Sequence, residues 1–238
     1  MIHIAVITAK GGNESIEDKN LIDINGKPSI FYSINAAQES RFISDVYVST
    51  ECPKIKQYCL DNSIKIIDRP LELSQANSNH GDVIVHAYKS LLEIHEFIDS
   101  LTILLGNTFM TSHKDIDDAI LKVFESESYD SCMTIWKAQD DHPYRAMKIN
   151  SEGYLESFYK HNSPISTNRQ SYPDAYFYDQ GPWVVKAKTL KEVTKSKDGP
   201  GPWWWMGKNC LPIIREWVTG RDTHTKFDVE IAQWWLKR

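Results

Sequence analysis

The stretch IHIAVITAKGG, residues 2–12, is an apolar run that breaks at two adjacent glycines. A buried strand that ends in a loop produces this pattern. Working outward, residues 29–40 carry apolar side chains at helical spacing, and the β-branched segment 45–50 follows as a second strand. The alternation continues with helices at 54–63 and 82–97 and with strands at 64–68 and 101–105. Strands that alternate with helices predict parallel βαβ units, so we expect an α/β fold.

The second half of the chain predicts shorter elements and one long loop. Residues 131–136 and 182–187 have strand character, residues 189–196 and 228–238 have helical character, and residues 146–150 and 154–159 are typical of a hairpin. The polar stretch 161–181 predicts a loop, and a loop of this length carries function or belongs to an arm. No tandem repeat or low-complexity linker divides the sequence, so we expect residues 1–238 to form one domain.

Composition excludes several classes of protein. The net charge of −5 argues against a nucleic-acid-binding protein and against one that binds anionic membranes, because both need a basic face. The chain opens without a basic segment followed by a long apolar one, and no later apolar run approaches about 18 residues, so we expect a cytoplasmic protein. The four cysteines form no C-x-x-C pair, which disfavours a zinc site or a disulfide scaffold and predicts reduced thiols.

The loop after the first strand is a candidate ligand site. Ligands of parallel α/β sheets bind at the carboxyl ends of strands, and residues 8–20 lie at such an end. The adjacent Gly11 and Gly12 let the backbone approach an anion closely, and Lys10 and Lys19 can balance its charge. The alternative is an ordinary glycine turn with two solvated lysines, since the segment has neither the P-loop pattern nor the dinucleotide-binding glycine pattern.

Two features near the C-terminus supply further candidates. Asp222 and His224 are two residues apart, so on an extended segment both side chains point to one side and can hold a cation. Mg²⁺ prefers oxygen ligands, so a histidine as the second ligand makes this a poor magnesium site. The alternative is a helix-capping Asp or Thr beside a surface histidine.

The tryptophans are a further feature of the C-terminal part of the chain. Trp203–Trp205 predict a stacking or sugar-binding platform with at least one buried ring, and Trp234 and Trp235 predict packing in the core or in a subunit interface.

Several motifs together resemble the acylneuraminate cytidylyltransferase (CMP-sialic acid synthetase) family. The opening loop Ala9–Asn20 follows that family's A-R-G-G-S-K-x-x-x-x-K-N frame. Further matches are Gly26–Pro28 to G-K-P, Val48–Glu51 to V-S-T-D, Arg69–Leu73 to R-P-x-E-L, His142–Arg145 to H-P-Y-K, and Asp228–Gln233 to D-L-x-I-A-E. Each motif is weak alone, but their order and spacing over nearly the whole chain are specific.

The resemblance implies a Rossmann-like nucleotidyltransferase fold with three αβα layers, a mostly parallel sheet, and a small β-rich arm at residues 138–182 that helps to form a homodimer. It implies a reaction in which CTP and a 2-keto-3-deoxy sugar acid of the sialic (nonulosonic) type give a CMP-sugar and pyrophosphate, with Mg²⁺ or Mn²⁺ as cofactor. By the same resemblance, the catalytic residues are Lys10, Lys19 and Asp222, the nucleotide-binding residues are Ala9, Gly11, Gly12, Asn20 and Arg69, the sugar-binding residues are Arg145, Arg169, Gln170 and Tyr176, and the metal ligands are Asp222 and His224.

The sequence departs from that family's pattern at four functional positions. The loop arginine is Lys10, which keeps the charge but loses the bidentate fork. The following Ser-Lys pair is Asn13-Glu14, which puts a carboxylate where a phosphate-binding lysine is expected. The family's loop with a glutamine and an arginine is residues 105–112 here, without either, and its metal-binding D-x-D is Asp222-Thr223-His224. Two hypotheses follow: an active transferase of a divergent branch, or a non-catalytic or regulatory homologue that retains nucleotide or sugar binding.

Overall fold

A seven-stranded sheet forms the centre of the molecule in the computed structural model, which describes residues 1–12, 16–161, 164–193 and 199–237. The strands are β1 (His3–Thr8), β2 (Asp23–Ile24), β3 (Lys27–Pro28), β4 (Ile43–Thr50), β5 (Lys65–Asp68), β6 (Ser100–Leu105), β7 (Ser131–Lys137), β8 (Met147–Ile149), β9 (Leu155–Ser157), β10 (Tyr176–Lys186) and β11 (Cys210–Arg215). The helices are α1 (Ser29–Glu39), α2 (Pro53–Asp61), α3 (His80–Leu92), α4 (His113–Phe124), α5 (Ala187–Glu192) and α6 (Lys226–Trp235). The order in the large sheet is β11-β7-β10-β6-β1-β4-β5.

The large sheet is mostly parallel. Only the pairs made by β10 are antiparallel, with β6 on one side and β7 on the other. The pairs β1–β4, β1–β6, β4–β5 and β7–β11 are all parallel. The predicted α/β fold with a mostly parallel sheet is confirmed.

Helices cover both faces of the sheet. All six residues of β1 are buried. Ile4 and Val6 pack into the apolar cluster formed with α3 and α5, whereas Ala5 and Ile7 pack into the cluster formed with α1, α2 and α4. Successive side chains of a strand point to opposite faces, so this alternation places one helical layer on each side. The three-layer αβα arrangement is therefore confirmed.

Helix α4 and strand β11 are the longest of the strands and helices that the sequence analysis did not predict. Helix α4 begins with a capping box in which Ser112 and Asp115 each accept a hydrogen bond from the other's backbone N–H. Strand β11 contains Pro212, a residue that argues against a strand unless the strand lies at a sheet edge, and β11 is such an edge. The helix predicted at 82–97 is α3, which begins at His80 after the N-cap Asn79 and ends at Leu92.

The prediction of a loop through residue 181 is wrong, because β10 already begins at Tyr176. Tyr178 pairs with Ile135 and Trp183 pairs with Met133, so four residues, 179–182, stand opposite Thr134 alone. This bulge accommodates the Asp, Gly and Pro residues that are typical of a loop in the sequence. The bulge also places residues 178–180 beyond the part of β10 that pairs with β6.

A hairpin of β8 and β9 forms its own small sheet in the segment between β7 and β10. This hairpin matches the one predicted at 146–159. It exposes several large apolar side chains, namely Met147, Ile149, Tyr154 and Leu155. The predicted arm at 138–182 therefore contains the hairpin, while its last residues, 176–182, belong to β10.

Membrane-spanning helices and cysteine pairing were both considered from the sequence. Among the described helices, none is long and apolar enough to cross a lipid bilayer. The four cysteines are free thiols. Burial raises the pKa of Cys59 to about 11 and that of Cys132 to about 12, so both thiols stay protonated at neutral pH.

Candidate active site

The glycine loop after β1 lies at the carboxyl edge of the sheet, between the ends of β4 and β6. The backbone N–H of Ala9 donates to Ser49 O at 3.1 Å, and the N–H of Gly106 donates to Thr8 O at 3.1 Å. Gly12 has a φ of 61°, a left-handed conformation that a glycine adopts without strain. The loop therefore leaves the sheet at the edge where ligands of parallel α/β sheets bind.

A carboxylate that the sequence analysis did not select holds this loop. Gly11 N–H donates to Glu51 Oε1 at 2.7 Å. Glu51 Oε2 accepts from Ser74 Oγ at 2.6 Å and lies 4.0 Å from Arg69 Nη1. The N–H of Gly11 was predicted to contact a phosphate, but in this structure it donates its hydrogen bond to the Glu51 side chain. In the sequence, the feature that could have pointed to Glu51 was the strand end Val48–Glu51, where Glu51 stands in place of the family's aspartate.

Asn20 is buried under the loop and fixes the main chain of Lys10. Its Nδ2 donates to Lys10 O at 2.8 Å, and its own backbone O accepts from Ile30 N–H at 2.9 Å. A Cβ on Gly106 would lie 2.8 Å from Asn20 Oδ1, so the glycine leaves the room that this amide occupies. This geometry gives Asn20 a supporting role for the loop.

Lys19 lies within electrostatic reach of the two other residues predicted to be catalytic, Lys10 and Asp222. Burial lowers the pKa of Lys19, the charge of Asp222 raises it, and the charge of Lys10 lowers it. Lys10 and Lys19 come from the loop after β1, and Asp222 comes from the segment before α6. The fold therefore brings Lys10 and Asp222 each close enough to Lys19 to change its pKa.

Asp222 is held on both sides of its carboxylate. Asn107 Nδ2 donates to Oδ2 at 2.8 Å, and His224 Nε2 lies 2.9 Å from Oδ1. The main chain is fixed as well, because Thr108 and Asp222 form an antiparallel bridge and Thr223 N–H donates to Asn107 O at 3.1 Å. The loop at 105–112, which departs from the family's pattern, thus orients Asp222.

The predicted metal ligands supply only one carboxylate. Within the described ranges, no group of three or more His, Cys, Asp or Glu side chains is arranged to hold a metal ion. The side chain of Asp222 is 11% exposed, while that of His224 is 59% exposed and faces the same carboxylate. Mg²⁺ is commonly held by one or two carboxylates together with substrate phosphates. Asp222 fits a metal ion that arrives with a nucleotide, and metal binding by Asp222 and His224 stays a prediction.

The sequence analysis offered a helix-capping Asp or Thr as the alternative to a metal site near residue 222, and the structure shows a threonine in that role. Thr225 caps α6, and Asp228 completes a capping box with it. Asp228 also accepts a hydrogen bond from the N–H of His224 at 3.1 Å and from Arg221 Nη2 at 2.6 Å. Asp222 takes no part in the cap and points instead to the loop and to His224.

Two cavities open at this edge of the sheet. The Arg69 cavity, of about 330 Å³, is lined by Arg69, Thr8, Lys10, His80 and Trp203 among others. The Asp222 cavity, of about 660 Å³, is lined by the following residues: Trp136, Asp141, Phe177, Trp217, Arg221, Asp222, His224, Thr225 and Asp228, with Tyr178 and Gln180. Tyr178 and Gln180 also line the Arg69 cavity, so they form a wall between the two.

Arg69 contributes a buried cation to its cavity. Its Nη2 donates to Ser49 O at 2.5 Å and its Nε to Ser49 Oγ at 3.2 Å. Burial lowers the pKa of Arg69 to about 10, and the charge of Glu51 opposes this shift. The guanidinium therefore remains charged at neutral pH, and its hydrogen bonds to the end of β4 fix its position.

His80, which the sequence analysis did not select, faces Arg69 in this cavity. Burial lowers the pKa of His80 to about 4, and the charge of Arg69 lowers it further. The Nε2 atom and Thr8 Oγ1 share a hydrogen bond of 3.1 Å. At neutral pH the imidazole is therefore uncharged and offers hydrogen bonds without a second positive charge.

The three consecutive tryptophans, Trp203–Trp205, have different surroundings: one lines a cavity and another lies in the core. The ring of Trp203 lies 4.0 Å from that of Tyr178, centroid to centroid, and lines the Arg69 cavity. Trp204 packs against Gly81, where an added Cβ would lie 2.6 Å from its ring. Trp205 is fully buried, so the expectation of at least one buried ring is confirmed.

The four residues predicted to bind the sugar are absent from the linings of these two cavities. Arg145 and Arg169 each make an ion pair with Asp140, at 3.4 and 3.1 Å. Gln170 lies beside Arg169 on the same short turn, and Tyr176 is exposed at the start of β10. None of the four lines the Arg69 or Asp222 cavity. Glu14, which set the largest departure from the family's pattern, lies outside the described residues.

Comparison with known proteins agrees with this architecture. Residues 4–193 match the family described as Cytidylyltransferase. The chain belongs to the cytidylyltransferase family. The resemblance drawn from the motifs of the opening loop and the later segments is thereby confirmed.

The chain is similar in sequence to two proteins named as cytidylyltransferases and to one named as a flagellin modification protein. An N-acylneuraminate cytidylyltransferase of Streptococcus agalactiae is 28% identical over 153 residues, which cover 63% of this chain and 36% of the streptococcal protein. The match therefore spans about a third of the length of that relative. Pseudaminic acid cytidylyltransferase of Campylobacter jejuni is 26% identical over 77% of this chain and 81% of the relative. Post-translational flagellin modification protein B of Campylobacter coli is 23% identical over 98% of this chain and 94% of its own.

Solved structures show the same fold. CMP:2-keto-3-deoxy-manno-octonic acid synthetase complexed with CTP superposes with a TM-score of 0.70 at 16% identity, over 100% of this chain and 99% of that one. A 4-diphosphocytidyl-2C-methyl-D-erythritol synthase from Anaerococcus prevotii superposes with a TM-score of 0.64 at 14% identity, over 100% of this chain and 96% of that one. The Rossmann-like nucleotidyltransferase fold is confirmed.

Proposed function

We propose that the protein transfers CMP from CTP to a 2-keto-3-deoxy sugar acid and releases pyrophosphate. The observation that carries this proposal is that Lys10 lines one cavity and Asp222 lines the other, while Tyr178 and Gln180 line both. Lys19 lies within electrostatic reach of Lys10 and of Asp222. Two adjoining cavities with charged groups in their linings suit a reaction that joins two substrates. The names of the relatives, which are cytidylyltransferases of acidic sugars, support the same substrate class.

The nucleotide occupies the Arg69 cavity in this proposal. Its volume of about 330 Å³ suits a base with its ribose, and Trp203 offers a flat ring for stacking. The neutral His80 and the charged Arg69 provide hydrogen bonds to the polar edge of the base. The triphosphate then extends past Lys10 toward Lys19 and Asp222.

The acceptor occupies the Asp222 cavity. Trp136 and Phe177 stack at 4.9 Å, centroid to centroid, and offer an apolar surface of the kind on which sugar rings pack. Arg221 is the arginine that lines this cavity, beside the carboxylates of Asp141, Asp222 and Asp228. Its Nη2 lies 2.6 Å from Asp228 Oδ1, and its guanidinium lies over the Trp217 ring at 5.4 Å. We therefore propose Arg221 for the acceptor's carboxylate, while sugar contacts from Arg145, Arg169, Gln170 and Tyr176 stay predictions.

The transfer is a displacement at the α-phosphorus. The anomeric hydroxyl oxygen of the sugar acid forms a bond to that phosphorus and its proton passes to water. The bond to the bridging oxygen breaks, and pyrophosphate leaves with the electron pair. Lys10 and Lys19 stabilise the negative charge that develops on the leaving group, because fixed charges need no reorganisation during the reaction. Mg²⁺ or Mn²⁺ held by Asp222 and the phosphates would supply additional positive charge there.

We also propose that two copies of the chain associate through the β8–β9 hairpin and that the protein works in the cytoplasm. The exposed apolar side chains of the hairpin, including Leu155 at 72% exposure, support an interface between copies. The free cysteines agree with a compartment in which thiols stay reduced.

The test is pyrophosphate release from purified protein with each nucleoside triphosphate, Mg²⁺ or Mn²⁺, and a panel of 2-keto-3-deoxy sugar acids. We expect release with CTP and one class of sugar acid, and its loss in Asp222→Asn. The matched control is Asp61→Asn, a carboxylate on α2 that lines neither cavity. Folded protein that releases no pyrophosphate with any combination would favour the non-catalytic homologue, to which the pairing of Asp222 with His224 gives some support.

A further inference from the structure

The wall between the two cavities depends on one buried carboxylate. Tyr178 and Gln180 line both cavities and flank Asp179, whose side chain is fully buried at 0% exposure. Asp179 is thus buried behind two residues that face the cleft, so a displacement of Asp179 would displace the shared wall.

Asp179 is held from three directions. Its Oδ1 accepts hydrogen bonds from the Thr134 hydroxyl and from Gly181 N–H at 3.0 Å. Its Oδ2 lies 3.5 Å from Nη1 of Arg215, a residue of β11 whose side chain is 7% exposed. Burial raises the pKa of the Asp179 carboxyl, and the charge of Arg215 opposes that rise.

Arg215 connects this bulge to the loop that orients Asp222. Its Nη1 donates to Gly181 O at 2.5 Å, and its Nη2 donates to Met110 O at 3.0 Å. Met110 belongs to the loop 105–112, in which Asn107 donates to Asp222. The same guanidinium lies 3.5 Å from Asp115 in the capping box of α4. One buried side chain thus joins the wall of both cavities to the support of the candidate catalytic carboxylate.

We propose that Arg215 is a positioning residue that fixes the Tyr178–Gln180 wall relative to Asp222 and so aligns the two substrates. The inference rests on the proposed function. Stability alone is a weak reason for a buried ion pair, because neutral replacements of such pairs often cost little. A planar guanidinium with five donors can hold several acceptors in a fixed geometry, which a lysine cannot do. Misplacement of reacting groups by about 1 Å is enough to slow a reaction roughly 100-fold.

The experiment separates alignment from stability with three variants. Arg215→Met removes the guanidinium and leaves Asp179 without its cation. Arg215→Met combined with Asp179→Asn removes both charges but keeps an oxygen for Thr134 and Gly181. Arg215→Lys keeps the charge without the fork. The matched control is Arg41→Met with Asp117→Asn, which dismantles another pair with a buried carboxylate, at 2.9 Å, next to the amino end of β4.

We expect the double variant at Arg215 and Asp179 to recover most of the thermal midpoint that Arg215→Met loses. Its kcat should still be roughly 10–100-fold below that of the wild type, with smaller changes in KM for CTP and for the sugar acid. Arg215→Lys should restore kcat only in part, and the Arg41 control should leave kcat unchanged. Amide hydrogen exchange should become faster in residues 106–110 and 178–181 together in the double variant and not in the control.

A double variant whose kcat recovers along with its midpoint would overturn the inference, since Arg215 would then only stabilise the fold. Unchanged exchange in both segments would overturn it as well. Failure of the proposed function looks different: the wild type would release no pyrophosphate, while the linked change in exchange, which needs no turnover, would still show whether Arg215 connects the two segments.

Discussion

The charge state of His80 predicts a pH dependence of stability that one substitution removes. The folded protein lowers the pKa of His80 from 6.5 to about 4, by burial first and by the charge of Arg69 second. Between these two pH values the unfolded chain binds a proton at this site and the folded protein does not, so acidification favours unfolding. The loss begins as the pH falls through about 6.5 and is complete below about 4.

The magnitude follows from the size of the shift. One pKa unit corresponds to about 1.4 kcal/mol, so the shift to about 4 is worth at most about 3.5 kcal/mol of unfolding free energy. His80→Gln keeps a hydrogen-bonding side chain next to Thr8 and does not titrate. Wild type should therefore lose about 3 kcal/mol relative to this variant between about pH 7 and about pH 4. Burial also lowers the pKa values of His3 and His86, but both proteins contain them, so their contributions cancel.

The assay is urea unfolding of wild type and His80→Gln across this pH range, with the difference in unfolding free energy plotted against pH. A direct NMR titration of the His80 ring provides an independent value. A difference that stays constant from about pH 7 to about pH 4 would refute the reasoning, because it would mean that His80 has the same pKa in the folded and unfolded chains. The imidazole in the nucleotide cavity would then be largely neutral only above about pH 6.5.

Three further predictions concern the cavities and the hairpin. Trp203→Ala should weaken CTP binding by about 1–3 kcal/mol in titration calorimetry, the range for stacking of a base on an aromatic ring, and Trp234→Ala, outside both cavities, should not. Arg221→Gln should raise the activation free energy obtained from kcat/KM for the sugar acid by about 1.5–3 kcal/mol, the range for a charged hydrogen bond. The same substitution should have little effect on kcat/KM for the carboxamide of that sugar, and equal losses for the two acceptors would exclude a carboxylate contact. Leu155→Glu should convert a dimer to a monomer in sedimentation, because it puts a charge on an exposed apolar surface, and an unchanged mass would place any interface elsewhere.

Much of the fold could be predicted from local patterns. The buried run of β1, the following glycine loop and the helices α1 to α3 all have a periodicity that shows in a short window of sequence. Strand β10 could not be predicted in full, because a bulge opposite Thr134 absorbs the Asp, Gly and Pro residues that predicted a loop. Strand β11 was missed because Pro212 is tolerated only at a sheet edge, and edge position is a property of the assembled sheet.

The candidate site shows the same division. Lys10, Lys19 and Asp222 could be selected from motifs, since motif spacing identifies these positions even where the residue type has changed, as at Lys10. His80, Glu51 and Arg215 could not, because their significance comes from neighbours that are distant in the chain. Glu51, for example, contacts Gly11 across 40 residues.

The sequence by itself determined the alternation of strands and helices through β6, the family of the chain and the choice of Lys10, Lys19 and Asp222 as candidates, because periodicity, turn residues and motif spacing are local properties. Only the tertiary structure decided that Asp222 is oriented by Asn107 across 115 residues and that Tyr178 and Gln180 separate two cavities. The physical reason is that a side chain's hydrogen bonds, burial and pKa depend on which segments the sheet brings side by side, and that pairing is settled only when the whole core packs.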